Sequence, residues 1–137
     1  MFCWREIEAT DTAEFHDLIP AILFLEHVPD RDRADRELTR IGVRILASGN
    51  VALDTSTEGY VHPPLDWVPT PHSFGRTLFS DDVLRAGLHA LAAAQQPDGG
   101  WPISWIPISS GVELEWRGHA TVGALVKLRA YAADGLR

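Results

Sequence analysis

Cysteine and lysine are nearly missing from this chain. Cys3 is the only cysteine, which excludes an intrachain disulfide and a zinc site built from cysteines alone. Lys127 is the only lysine, and 12 basic residues stand against 19 acidic ones for a net charge of −7. No basic stripe is left to displace counterions from a phosphate backbone, so nucleic acid is not the expected partner. A signal-peptide pattern and an apolar run of about 18 residues are also lacking, which predicts a cytoplasmic protein without a membrane span.

What remains is ordinary for a folded domain: 137 residues, 45% apolar and 23% charged. That length makes one domain or part of one. The first seven residues are already apolar at spaced positions, as if a helix were ending. Residues 2–9 read as a helical remnant with Phe2, Cys3 and Ile7 on one side.

Periodicity predicts four further helices, at about 11–27, 33–48, 80–95 and 116–133. Asp11 or Thr12 caps the first, and Pro20 either kinks it or sits in the first turn of a helix starting at Asp17. Asp32 caps the second, whose stripe Ala34, Leu38, Ile41, Ile45 marks one buried face. Its arginines at 31, 33, 36, 40 and 44 alternate with Asp30, Asp32, Asp35 and Glu37, the pattern of a solvated face. Ser80, Asp81 and Asp82 open the third as a cap with acidic residues at the positive helix end. Within the fourth, residues 120–126 are apolar all round, the mark of a helix enclosed by others. Between the second and third helices lies a long loop, 50–79. In it residues 51–53 and 60–62 are a candidate small β-hairpin. Residues 63–71 read as extended, because prolines fix φ and bias their predecessors.

The most informative stretch joins the last two helices. Leu91 and an alanine-rich helix end run into Gln95, then Pro97-Asp98-Gly99-Gly100-Trp101. Proline stops the helix, and the glycines accept the positive φ of a sharp reversal. The spacing Leu-x3-Gln-x2-Asp-Gly-Gly-Trp resembles the glutamine–tryptophan repeat of the terpene cyclase and protein prenyltransferase superfamily. Trp116-Arg117-Gly118-His119 and the residues after them resemble the inner helix that follows such a motif. Together with Pro64-Leu65-Asp66-Trp67-Val68-Pro69, the motif is similar to small actinobacterial proteins carrying prenyltransferase/squalene-oxidase repeats.

The resemblance implies an all-α fold, an α/α toroid of helical hairpins. Four helices make two hairpins, so residues 1–137 would be a single partial domain, about half a toroid. Completing it takes a homodimer or a missing N-terminal half. It implies no particular chemistry. The Asp-x-Asp-Asp acid of the cyclases is lacking, and Asp81-Asp82 has no third carboxylate four residues on. Cys3 and His119 lack the Asp-x-Cys context of the prenyltransferase zinc site, so neither a metal nor a cofactor is expected.

By the same resemblance the ligand cavity opens where inner helices begin. Trp67, Trp101, Trp105, Trp116 and His16 are then candidate lining residues for an apolar, isoprenoid-like small molecule. Gln95, Asp98, Gly99, Gly100 and Trp101 form the repeat motif. Glu113 and Glu115, two apart on a presumed loop or strand, share a face and could act as an acid–base pair. His119, in a first helical turn, would stay neutral and suit a base. Asp66, His62 and His72 sit in the proline-rich loop, a candidate lid. Two other functions fit the same residues. One is carbohydrate processing with Glu113 or Glu115 opposite Asp66; the other is a non-catalytic scaffold, marked by an exposed apolar face on the last helix.

Overall fold

The computed structural model describes residues 2–53 and 61–136. Over those residues the chain is all-α: α1 (Phe2–Ala9), α2 (Phe15–His27), α3 (Arg31–Ala47), α4 (Pro64–Trp67), α5 (Asp81–Ala93) and α6 (Ser110–Asp134), with a 3₁₀ turn at Phe74–Thr77. α2 packs on α3, α4 on α5, and α5 on α6. Among the described residues no helix is long and apolar enough to cross a membrane.

α1 turns a different side inward from the one its sequence suggests. Trp4 and Ile7 are buried, whereas Phe2 and Cys3 are exposed. The reason is α2, whose Phe24 ring meets Trp4 edge-on at 5.5 Å. α2 itself starts at Phe15, past Asp11 and Thr12, and Thr12 instead accepts a hydrogen bond from the Glu14 amide at 3.0 Å. Pro20 stays inside this helix.

The arginines of α3 do more than face water. Arg40 donates to the carbonyls of Ile7 (2.5 Å) and Thr10 (2.9 Å), and Arg44 also donates to Thr10 (2.5 Å). Arg31 donates to Leu25 at 2.5 Å, near the end of α2. Carbonyls at a helix end have no helical donor and carry partial negative charge, so α3 caps the two helices before it. Arg33 lies 4.3 Å over the Trp4 ring and pairs with Glu8. The cap of α3 is Asp30, which accepts from the Arg33 amide, rather than Asp32.

Two further departures lie in the 50–79 segment. In place of a hairpin, Val51 and His62 form one isolated parallel bridge, with Tyr60 outside the described residues. The proline run is not extended throughout. Pro63 is the extended cap and Pro64 the first residue of α4, where a missing N–H costs nothing. Residues 65–68 are anchored rather than free to move as a lid, since Leu65, Trp67 and Val68 are all buried in the core cluster, while His72 is exposed. Gly75 closes the corner, since a Cβ there would lie 2.5 Å from the Trp67 carbonyl oxygen.

α6 is tied to this corner at two points. Lys127 Nζ donates to Asp66 Oδ1 at 2.5 Å, and the Tyr131 hydroxyl donates to the Val68 carbonyl at 2.8 Å. Of α6 only Ala124 and Tyr131 are buried, while Val122 is 63% exposed, Leu125 52% and Val126 55%. The enclosure predicted for residues 120–126 is therefore absent among the described residues: α5 covers one side of α6 and the opposite side is open.

Burial pushes the Tyr131 phenol up to about 12, above the ordinary tyrosine value of about 10. The neutral phenol is the form the fold holds, so its contribution is complete below about pH 10 and disappears as pH rises through about 12. An absorbance titration of tyrosinate should show one tyrosine ionising late, together with loss of tertiary structure. Tyr131→Phe should abolish the late phase and cost about 1–2 kcal/mol at neutral pH by orphaning the Val68 carbonyl. Ionisation of both tyrosines at the ordinary value would contradict this.

Candidate functional site

The turn after α5 is a hydrogen-bonded clasp. Gly99, at φ +85°, supplies the left-handed step. Gln95 Nε2 donates to the Gly99 carbonyl (2.9 Å), the Gln96 amide to Gly100 (2.8 Å), and the Gly100 amide to Asp98 Oδ1 (3.0 Å). Asp98 Oδ2 accepts from Arg117 of α6 at 2.7 Å. The Arg117 hydrogen bond, with help from the Gly100 amide, holds the Asp98 carboxyl below its usual range, and Asp98 in turn raises Arg117.

Trp101 fastens this turn to both helices. Its indole N–H donates to the Leu91 carbonyl of α5 at 2.7 Å, and its backbone amide to Thr121 of α6 at 3.0 Å. Thr121 donates onward to the Arg117 carbonyl at 2.7 Å. The ring is 4% exposed. Of the predicted lining residues, Trp101 is thus held in the joint between α5 and α6.

Beside the clasp the chain leaves aromatic surface open. Trp105, in the 102–109 loop, and Trp116, on α6, are 44% and 48% exposed. Their rings meet edge-to-face at 5.8 Å, and His119 meets Trp116 the same way at 5.5 Å. An open depression of about 500 Å³ has Trp105 in its wall, together with Pro102, Ile103, Pro107, Asp98, Glu113 and Arg117. Its wall is mixed: the prolines, Ile103 and Trp105 are apolar, whereas Gln96, the Asp98 and Glu113 carboxylates and the Arg117 guanidinium are polar.

The early start of α6 changes three predictions. Ser109 caps the helix by accepting from the Val112 amide at 3.3 Å, so Glu113 and Glu115 lie on a helix and not on a loop or strand. Two residues apart on a helix is about 200° of rotation, so the carboxylates point to different sides. His119 is well inside the helix, beyond the first turn where the dipole acts. Asp66, bonded to Lys127, meets α6 twelve residues past Glu115, roughly 18 Å of helix. A glycosidase pair spans about 5–10 Å, and these carboxylates do not face one another.

Trp67 and His16, the other predicted lining residues, belong to a second cluster. Phe15 stacks on His62 at 3.8 Å and meets Trp67 edge-on at 4.8 Å, and the His16 ring lies 6.0 Å from His62. His62 Nδ1 is 3.5 Å from Asp66 Oδ2, so a His62–Asp66–Lys127 chain runs through it. Trp67 is 1% exposed. Sequence reasoning missed this chain, although the i, i+4 spacing of His62 and Asp66 and the solitary lysine were its visible signs. Among the described residues no group of three His, Cys, Asp or Glu side chains is placed to hold a metal ion.

The clasp generates a stability prediction. Trp101→Phe keeps an aromatic ring but loses the bond to Leu91 and part of the packing, and should cost about 2–3 kcal/mol in denaturant unfolding. A loss under about 0.5 kcal/mol, the size of an ordinary surface change, would mean that Trp101 is not the joint.

Comparison of the chain with family models, with curated proteins and with solved structures finds no match.

Proposed function

We propose that this chain is a helical-repeat binding module of the terpene cyclase/prenyltransferase kind, and that it takes an isoprenoid-like or similarly apolar small molecule. The ligand lies on the Trp105–Trp116–His119 ladder and in the adjoining depression. One observation carries this reading: two tryptophans, each close to half exposed, are held edge-to-face, and one of them, Trp105, walls an open hollow. Exposed aromatic surface is costly to leave in water, and clustered patches of it mark ligand or partner sites. The clasp supplies rigidity. Arg117 and Thr121 tie the base of α6 to the turn, so Trp116 is presented on an element already fixed, which lowers the ordering cost of binding.

The chemistry on offer is burial and stacking rather than acid–base work. Asp98 and Glu113 border the hollow beside Arg117, which already pairs with Asp98, a polar rim that suits a ligand's headgroup more than a proton transfer. Carbohydrate processing loses its support, because the carboxylates it needs stand apart along α6.

Titration of geranylgeraniol against intrinsic tryptophan fluorescence tests the proposal. A saturable change is expected, weakened about tenfold by Trp105→Ala, the loss of about 1.4 kcal/mol of ring contact. No saturable change, or an equal response from the Trp105→Ala chain, would refute it. A saturable response to a cello-oligosaccharide in place of the polyprenol would also overturn the apolar reading.

A further inference from the structure

Apart from the aromatic ladder, α6 carries a second open surface. Glu115, Val122 and Arg129 recur every seven residues, only about 20° short of two full turns, so they form one line along the helix. Gly118 and Leu125 flank that line three residues on from Glu115 and Val122; His119 and Val126 flank it four residues on. This is the a/d/e pattern of a helix-pairing seam. Val122, Leu125 and Val126 are each more than half exposed. Glu115 and Arg129 are exposed as well, and neither forms an ion pair among the described residues.

The seam is self-complementary in one orientation. We propose that α6 pairs antiparallel with α6 of a second copy of this chain, about a two-fold axis at Val122. Residue i then faces residue 244 − i. Glu115 meets Arg129 of the second copy, and Arg129 meets its Glu115. Gly118 meets Val126, a small residue against a branched one, which lets the axes approach to about 8–10 Å. His119 meets Leu125, and Val122 meets itself. A parallel pair would put Glu115 against Glu115 and Arg129 against Arg129, a repulsion at both ends. Antiparallel packing also sets the helix dipoles in opposition. The length is adequate: 25 residues give about 37 Å of helix.

Trp116 lies roughly a third of a turn from the centre of the seam, so the pair leaves the Trp105 and Trp116 rings accessible and covers only the His119 end of the ladder. The contact is an isologous C₂ interface that uses one patch twice.

Light scattering on the eluting protein should give twice the 15.1 kDa chain mass. Glu115→Arg and Arg129→Glu should each raise the dimer dissociation constant at least about tenfold. The doubly exchanged chain, E115R/R129E, should recover the original constant, because the swap restores both contacts. In a Cys3→Ser background, Val122→Cys should cross-link to itself under mild oxidation. A chain that stays at single mass up to about 100 µM, an exchanged chain no better than the single variants, or a dimer whose Val122→Cys form does not cross-link would each overturn the pairing. A monomer that still binds geranylgeraniol would overturn the pairing alone and leave the proposed ligand site standing.

Discussion

The fold depends on how one short corner is filled. Pro64–Trp67 and Val68 bring Leu65, Trp67 and Val68 into the centre of the molecule, between the α2–α3 pair and the α5–α6 pair. Gly75 allows the chain to fold back on the Trp67 carbonyl without a clash. Lys127 and Tyr131 then bind α6 to the same few residues. Burial of the indole and its aliphatic neighbours supplies most of the stabilisation, a few kcal/mol for each large side chain. The two polar contacts fix which face of α6 turns inward. Only after that face is chosen does the other, with its valines and leucine, become the open one.

The clasp at 95–101 adds a second constraint in the N-terminal half of α6. Trp101 joins α5 to α6 through its indole and its amide, while Asp98 and Arg117 brace the turn from outside. The ion pair is exposed, so its contribution is small; its effect is on orientation. Held at residues 117–121 and again at 127–131, α6 is fixed in orientation, and the Trp105–Trp116 ladder and the Glu115–Val122–Arg129 line are positioned by the fold instead of being improvised on binding.

Much of the architecture was legible in the chain. The Pro-Asp-Gly-Gly turn, the stripe of α3 and the Ser80 cap each rest on local chemistry, and local chemistry survives folding. What failed depended on distant partners. The arginines of α3 read as solvated because the carbonyls they cap, at Ile7, Thr10 and Leu25, lie elsewhere in the sequence. Ser109-Ser110-Gly111 read as loop, since glycine and serine are poor helix residues, yet Ser109 caps α6 there, and with that one shift the presumed Glu113–Glu115 pair came apart. The proline run read as extended because its prolines were weighed as breakers, when Pro64 stands where a helix begins. The apolar stretch 120–126 read as enclosed because sequence records hydrophobicity and not what covers it.

The five tryptophans divide into two groups that a ligand on the open rings would affect differently. Trp4, Trp67 and Trp101 are buried, and Trp105 and Trp116 are open. Indole N–H resonances of the nitrogen-15-labelled chain, followed while geranylgeraniol is added, separate the two groups in one experiment. The Trp105 and Trp116 signals should move together to saturation while those of Trp4, Trp67 and Trp101 stay in place. Movement of the Trp67 and Trp101 signals with Trp105 and Trp116 unmoved would place the ligand in the core and contradict the proposed site.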